Sequence, residues 1–271
     1  MALSDEQAHF FDTFGFLKFP GLFADDIDEI TEAFEDVWRE RGTGHDGKPH
    51  DGSARSMIVP FIDQHERLCA LLDDPRLLDP ATALLGDDFN YIWSDGNLYA
   101  GDTPWHSDTW DMPYITIKNA FYLDPVTKDS GCLRVIPGSH RQGDRFADCL
   151  QADVMRGEPF WSNHGRDIPC VPLEVEPGDL VLFNRQTKHA AYGGGSRRRM
   201  FTINVYERSP DDDLQRLQDE ISKRAIFGVE RAYGETMVRT ANPARMRHLE
   251  QVMANDGHLA ELVRNAPQET A

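Results

Sequence analysis

Apolar residues along this chain recur with two different periods, and the switches between them divide it into three parts. Near the start, Phe10, Phe11, Phe14 and Leu17 fall at helical spacing behind Ser4 and Gln7, which match a capping box. The turn at Pro20-Gly21 separates this helix from a second one, where Ile27, Ile30, Phe34, Val37 and Trp38 make one apolar stripe opposite a face of acids. A third helix is predicted over about 74–85, stopped by Gly86. Beyond Gly86 the runs shorten and read as strands: 89–93, 115–123, 133–136, 171–175, 180–183 and 201–206, with turn formers such as DPVTKDSG, PGSH and EPGD between them. From Pro210 the spacing is helical again, through Leu214, Leu217 and Ile221 and later Leu249, Val252, Leu259 and Leu262. The expected fold is mainly β with flanking helices, an antiparallel sandwich or barrel. Its parts are N-terminal helices and a loop (1–88), a strand core (89–207) and a C-terminal helical segment (208–271), together one domain.

Composition narrows the function. The chain has 271 residues, 46 acidic against 28 basic, for a net charge of −18. Such a surface repels phosphate backbones and anionic membranes, which argues against nucleic-acid or lipid-surface partners and leaves a small-molecule substrate. No run approaches the roughly 20 apolar residues that span a bilayer. The opening residues carry acids early and lack a basic stretch followed by an apolar one, unlike a signal peptide. Cys69, Cys132, Cys149 and Cys170 are widely spaced and read as reduced thiols of a cytoplasmic protein.

The candidate chemistry begins in PWHSDTW. His106 and Asp108 stand two apart on what reads as a strand, so their side chains leave the same face. An imidazole beside a carboxylate supplies two members of the 2-His-1-carboxylate set that holds non-heme Fe(II) with open positions. His189, 83 residues after His106 and just past the strand in EPGDLVLFNRQTKHAA, is the candidate third ligand. Three protein ligands leave room for a bidentate 2-oxo acid and O2, and a basic run follows His189. Strand parity selects Arg198 from Arg197, Arg198 and Arg199. Phe201, Ile203 and Val205 share an apolar face, while Met200, Thr202, Asn204 and Tyr206 share the other, in phase with Arg198. A guanidinium there offers a planar fork to the far carboxylate of the 2-oxo acid, with Arg199 the runner-up.

With these motifs in place, the sequence resembles the phytanoyl-CoA dioxygenase-like iron(II)/2-oxoglutarate-dependent oxygenases. The resemblance covers about 3–206: the opening LSDEQAHFFDTFGFLKFPGLF, the WHSD core, the SGCLRVIPGSHR run and the EPGDLVLFNRQTKHAA strand-turn. It implies a double-stranded β-helix (jelly roll, cupin-like) core, Fe(II) as metal, 2-oxoglutarate and O2 as cosubstrates, and decarboxylation of 2-oxoglutarate to succinate coupled to hydroxylation of a small metabolite. His106, Asp108 and His189 fall on the family's metal ligands, and an intact Asp108 argues against halogenation. Arg198 falls near the family's clamp, although the spacing of nine from His189 is shorter than usual. Asn97 is either a cosubstrate contact or a strand-end asparagine; Thr109 has the same two readings. His140, in PGSHR, reads as structural, Trp105 and Trp110 as core aromatics, and His45 and His50 as solvated loop residues. Arg231, Arg239, Arg245 and Arg247 read as a solvated helix face. The glycine-rich stretch 42–56 is expected to be a mobile loop at the pocket mouth. Two other readings stay open: a jelly-roll metal binder without turnover, and a cupin-type isomerase or hydrolase that does not use 2-oxoglutarate.

Overall fold

A computed structural model describes residues 2–156 and 164–265, with the strands in two antiparallel sheets. The larger sheet has the spatial order β1 (Phe16–Phe19), β8 (Leu180–Asn184), β5 (Thr116–Tyr122), β10 (Arg198–Glu207), β3 (Phe89–Tyr99) and β2 (Ser56–Ile58). The smaller one runs β4 (Thr103–His106), β9 (His189–Ala191), β6 (Leu133–Val135) and β7 (Val171–Leu173). Phe16, Ala120, Phe183 and Met200 of the larger sheet pack with Leu133, Val135 and Leu173 of the smaller one in a shared apolar cluster. This is the jelly-roll core, with a cavity left between its sheets.

Among the described residues ten helices frame the sheets: α1 (Asp5–Phe14), α2 (Ile27–Arg41), α3 (Glu66–Cys69), α4 (Pro75–Leu85), α5 (Arg145–Arg156), α6 (Leu214–Ser222), α7 (Glu235–Thr240), α8 (Pro243–Arg247), α9 (Glu250–Ala254) and α10 (Leu259–Asn265). The predicted capping box is present, since Ser4 Oγ accepts from the Gln7 N–H and Gln7 returns the bond. Asp74 caps α4 with Pro75 at its first turn. The outer face of the larger sheet carries the main core, where Phe121 and Phe201 stack with centroids 4.6 Å apart and Phe34 of α2 packs against Phe61. Truncating a fully buried phenylalanine there to alanine costs about 3–5 kcal/mol.

Several expectations need correction. Leu17 is not on the first helix: Gly15 (φ +85°) ends α1, and 16–19 continue as β1, paired with β8. A side chain on Gly15 would also meet the His140 ring at 2.5 Å. β3 extends to Tyr99, well beyond the predicted 93, and the loop 42–56 ends one residue early because Ser56 opens β2. α5 gave no signal that we read. Tyr206, expected on the cavity-facing set, lies instead in the main core with Leu217 and Ile221, where the strand runs past the cavity. Arg245 is no solvated residue but 3% exposed, its guanidinium bound to Asp73.

One buried acid links the N-terminal helices to the sheet and to the C-terminal segment. Asp63 is bonded to Tyr91 Oη at 2.8 Å and accepts from the Gly234 N–H at 3.0 Å. Desolvation pushes its carboxyl up to about 6 against these donors. A raised folded-state value means that the folded form keeps its proton between about 4 and 6 while the unfolded chain loses it. Stability from this group is therefore full below that window and falls as pH rises through it. A shift of about two units corresponds to about 3 kcal/mol. Urea unfolding of Asp63→Asn beside the parent at pH 4.5 and 7.5 should show the variant gaining relative stability at the higher pH.

Candidate active site

His106 and His189 face each other as register partners of β4 and β9, their ring centroids 4.2 Å apart. Each ring has its Nδ1 on a backbone carbonyl, Pro104 O at 2.9 Å and Thr187 O at 2.8 Å. A carbonyl only accepts, so both Nδ1 atoms carry the proton and both Nε2 atoms present lone pairs. Asp108 Oδ1 lies 3.6 Å from the first Nε2 and 3.8 Å from the second. One donor atom from each of the three residues fits within 4.8 Å of the others, the only such group of His, Cys, Asp or Glu found among the described residues. On an octahedral ion with bonds of about 2.1 Å, adjacent donors stand about 3 Å apart, so a small contraction closes the set. The strand reading needs one correction. β4 stops at His106, and Asp108 sits in the bend beyond, its N–H donating to Arg185 O at 2.9 Å.

The electrostatics suit a metal site. Burial and the neighbouring His106 hold His189 down to about 3, so it stays neutral. Burial alone would raise Asp108, but the Lys118 ammonium, 2.6 Å from Oδ2, and the Arg185 guanidinium help outweigh it and hold the carboxyl well below its usual range. Asp108 thus turns one oxygen to the histidines while a cation occupies the other.

A cavity of about 250 Å³ is lined by all three residues and by Arg198. Arg198 is 6% exposed, and its Nε and Nη1 have no hydrogen-bond partner. Its neighbours point elsewhere: Arg199 pairs with Asp124 and Glu35, and Arg197 with Glu35. Arg198 thus lines the cavity and Arg199 does not, in keeping with alternation along β10, which Arg197 precedes. Gly131 (φ +94°) makes room for Arg198, because a Cβ there would stand 1.8 Å from Nη1. Ala120, Tyr122, Leu133 and Met200, members of the apolar cluster between the sheets, also line the cavity.

Asn97 and Thr109 do not line this cavity. Both ends of the Asn97 amide are engaged, Oδ1 by Arg55 Nε at 2.7 Å and Nδ2 by Asp95 Oδ1 at 2.5 Å. The Thr109 hydroxyl is 3.4 Å from that of Thr116. His140 rests on Asp12 O, a structural contact. Trp105 is buried with its Nε1 donating to Gly165 O, and Trp110 lies against the Lys188 ammonium. Sequence reasoning missed Arg55, Lys118 and Phe227 in the lining. Lys118 left a signal, a lone charge in the otherwise uncharged run ITIKNAFYL.

The loop 42–55 reaches the cavity mouth. His45 packs edge-on to Phe227, His50 Nε2 is 2.7 Å from Ser196 O, and Arg55 lines the cavity. Amide exchange in 42–55 should slow when substrate binds beside 2-oxoglutarate. Equal exchange rates with and without substrate would refute an ordering loop.

The phytanoyl-CoA dioxygenase (PhyH) family profile matches residues 11–200, most of the chain. The chain belongs to this family. It is similar to ectoine dioxygenase of Bordetella bronchiseptica, 29% identical over 168 residues, 55% of this chain and 52% of that protein. The match thus spans about half the length of that relative. A 2-aminoethylphosphonate dioxygenase from an uncultured bacterium is 24% identical over 209 residues, covering 69% of this chain and 75% of that one. Among solved structures, EctD from S. alaskensis superposes with a TM-score of 0.58 at 26% identity, covering 76% of this chain and 77% of its own. The α-ketoglutarate-dependent carbocyclase SnoK from nogalamycin biosynthesis gives 0.58 at 22%, covering 79% and 90%. No helix among the described residues is long and apolar enough to cross a membrane.

Proposed function

We propose that this protein is a non-heme iron(II)- and 2-oxoglutarate-dependent dioxygenase that hydroxylates a small metabolite, as one catalytic domain spanning 1–271. The observation that carries the reading is one cavity holding both a His-Asp-His donor set and a buried guanidinium whose Nε and Nη1 lack hydrogen-bond partners. His106 Nε2, Asp108 Oδ1 and His189 Nε2 would hold Fe(II). Arg198 would take the far carboxylate of 2-oxoglutarate through the N–H groups that lack partners. When bound, the iron supplies the O2 chemistry that couples loss of CO2 from 2-oxoglutarate to oxidation of a substrate C–H bond. The protein's part is to orient and to exclude water. Backbone carbonyls fix both imidazoles, Lys118 keeps Asp108 ionised, and Ala120, Tyr122, Leu133 and Met200 keep the cosubstrate's stem dry. A cupin-type binder, isomerase or hydrolase has no use for a clamp such as Arg198. Names of relatives acting on ectoine and on aminoethylphosphonate favour a small polar metabolite as substrate. Four unpaired cysteines favour a reducing compartment, the cytoplasm.

Anaerobic addition of Fe(II) and then 2-oxoglutarate should give a weak visible charge-transfer band, and admission of O2 should release succinate. The absence of both from metal-loaded protein would remove this reading in favour of the cupin-type alternatives.

A further inference from the structure

A second cavity, of about 320 Å³, adjoins the metal cavity and plays no part in the chemistry above. The two share Trp93, Asp108 and Phe227 in their linings, so they meet beside the candidate metal ligand. The second cavity's own walls join Ile92 of β3 and Arg185 from the turn before β9 to Glu220, Lys223 and Arg224 of the C-terminal segment.

Its unsatisfied groups are of one kind. Arg185 is 4% and Arg224 2% exposed, yet the Nε of each is buried without a hydrogen-bond partner, as is Trp93 Nε1. All three are N–H donors. A buried donor left unmade costs free energy, so a lining that gathers three of them suits a ligand rich in acceptors. Charge points the same way. Arg185 Nη1 lies 3.4 Å from Glu220 Oε1, and Glu220 also binds Lys223. Arg224 donates to the carbonyls of Ile92 and Ala232, with buried Asp63 the acid whose field reaches it. Asp108 Oδ2 is 3.9 Å from Arg185 Nε and 2.6 Å from Lys118 Nζ. Once a divalent cation takes Asp108, that carboxylate no longer offsets Arg185 and Lys118. In the second cavity's lining Arg185, Lys223 and Arg224 then stand against Glu220 alone, an excess of positive charge inside a chain whose net charge is −18.

We propose that this second cavity docks the head group of the substrate and that the head group is an oxyanion, a carboxylate or a phosphorus oxyanion. The reacting carbon then reaches past Trp93 and Phe227, whose ring centroids are 5.8 Å apart, into the metal cavity. The placement of the reacting end rests on the dioxygenase reading, whereas the anion site rests on its own lining with a divalent cation on Asp108. Glu220, Lys223, Arg224 and Phe227 all lie beyond the stretch 11–200 shared with the family, so the C-terminal segment sets the specificity of this chain.

Calorimetric titration of the anaerobic enzyme, loaded with Fe(II) and saturating 2-oxoglutarate, tests this with four probes: propylphosphonate, butyrate, 1-butanol and butylamine. The two anions should bind saturably, and the alcohol and amine at least about tenfold more weakly. Arg185→Gln and the exposed Lys223→Gln should each weaken the anions about tenfold. Preference for propylphosphonate assigns a phosphorus oxyanion and preference for butyrate a carboxylate. Equal or tighter binding of butylamine overturns the site, and so does anion affinity within about twofold of the parent in the folded Lys223→Gln variant. Loss of 2-oxoglutarate binding with anion binding intact would instead overturn the dioxygenase reading and leave this one standing.

Discussion

Arg198→Ala should raise the KM for 2-oxoglutarate about tenfold or more, whereas Arg199→Ala should leave it within about twofold. The two residues are adjacent, carry the same charge and differ only in the strand face they occupy. Arg198 shares its face with Met200 and Thr202, which line the cavity beside it. Its Nε and Nη1 are buried without hydrogen-bond partners, a costly state that acceptor atoms of a ligand would relieve. Arg199 is already satisfied by Asp124 at 2.5 Å and Glu35 at 2.9 Å. Gly131→Ala provides a second test that leaves the arginine in place. The new methyl would occupy the position of Nη1, and the backbone at φ +94° disfavours a side chain as well. It should therefore reproduce the KM defect of Arg198→Ala with a smaller loss of kcat. Steady-state succinate release against 2-oxoglutarate concentration for the three variants decides the matter. A crippled Arg199→Ala beside a normal Arg198→Ala would show that parity chose the wrong arginine.

That parity could be read from sequence because β10 is long, regular and buried on both faces, so alternation survives from Arg198 to Thr202. The same rule failed at Tyr206, because that end of the strand runs past the cavity into the main core with Leu217 and Ile221, which strand alternation alone does not reveal. Leu17 failed for a local reason: a helix and a strand joined by one αL glycine show a single unbroken set of apolar residues. His106 and Asp108 were legible as an i, i+2 pair, although the strand ends between them and the Arg185 carbonyl, not a ladder partner, fixes Asp108. The apolar periodicity of the C-terminal segment was visible, but the placement of Glu220, Lys223 and Phe227 beside the site was not. Amphipathic spacing says which face of a helix is buried and nothing about which cavity its polar residues close.

Replacing His189 with Ala should lower turnover by at least about a hundredfold and reduce bound iron well below one per chain, with the fold intact. The physical case rests on what holds the ring. His189 is 5% exposed, its Nδ1–H is committed to Thr187 O at 2.8 Å, and its Nε2 faces Asp108 Oδ1. Nothing in the sheet depends on that Nε2, because β9 pairs with β4 and β6 through its backbone. Truncation leaves a void and one carbonyl without its donor, a cost of about 1–3 kcal/mol that a jelly roll with this core can absorb. Loss of one of three metal ligands has no such reserve, since two remaining donors cannot fix an octahedral ion with defined open positions. His106→Ala and Asp108→Ala should behave alike in turnover. Asp108→Ala differs in one respect, because it also leaves Lys118 and Arg185 facing each other without their shared carboxylate. It should therefore be the least stable of the three by thermal melt. Metal analysis, succinate release and circular dichroism on the three variants separate a lost site from a lost fold. Full activity in His189→Ala would dissolve the triad assignment.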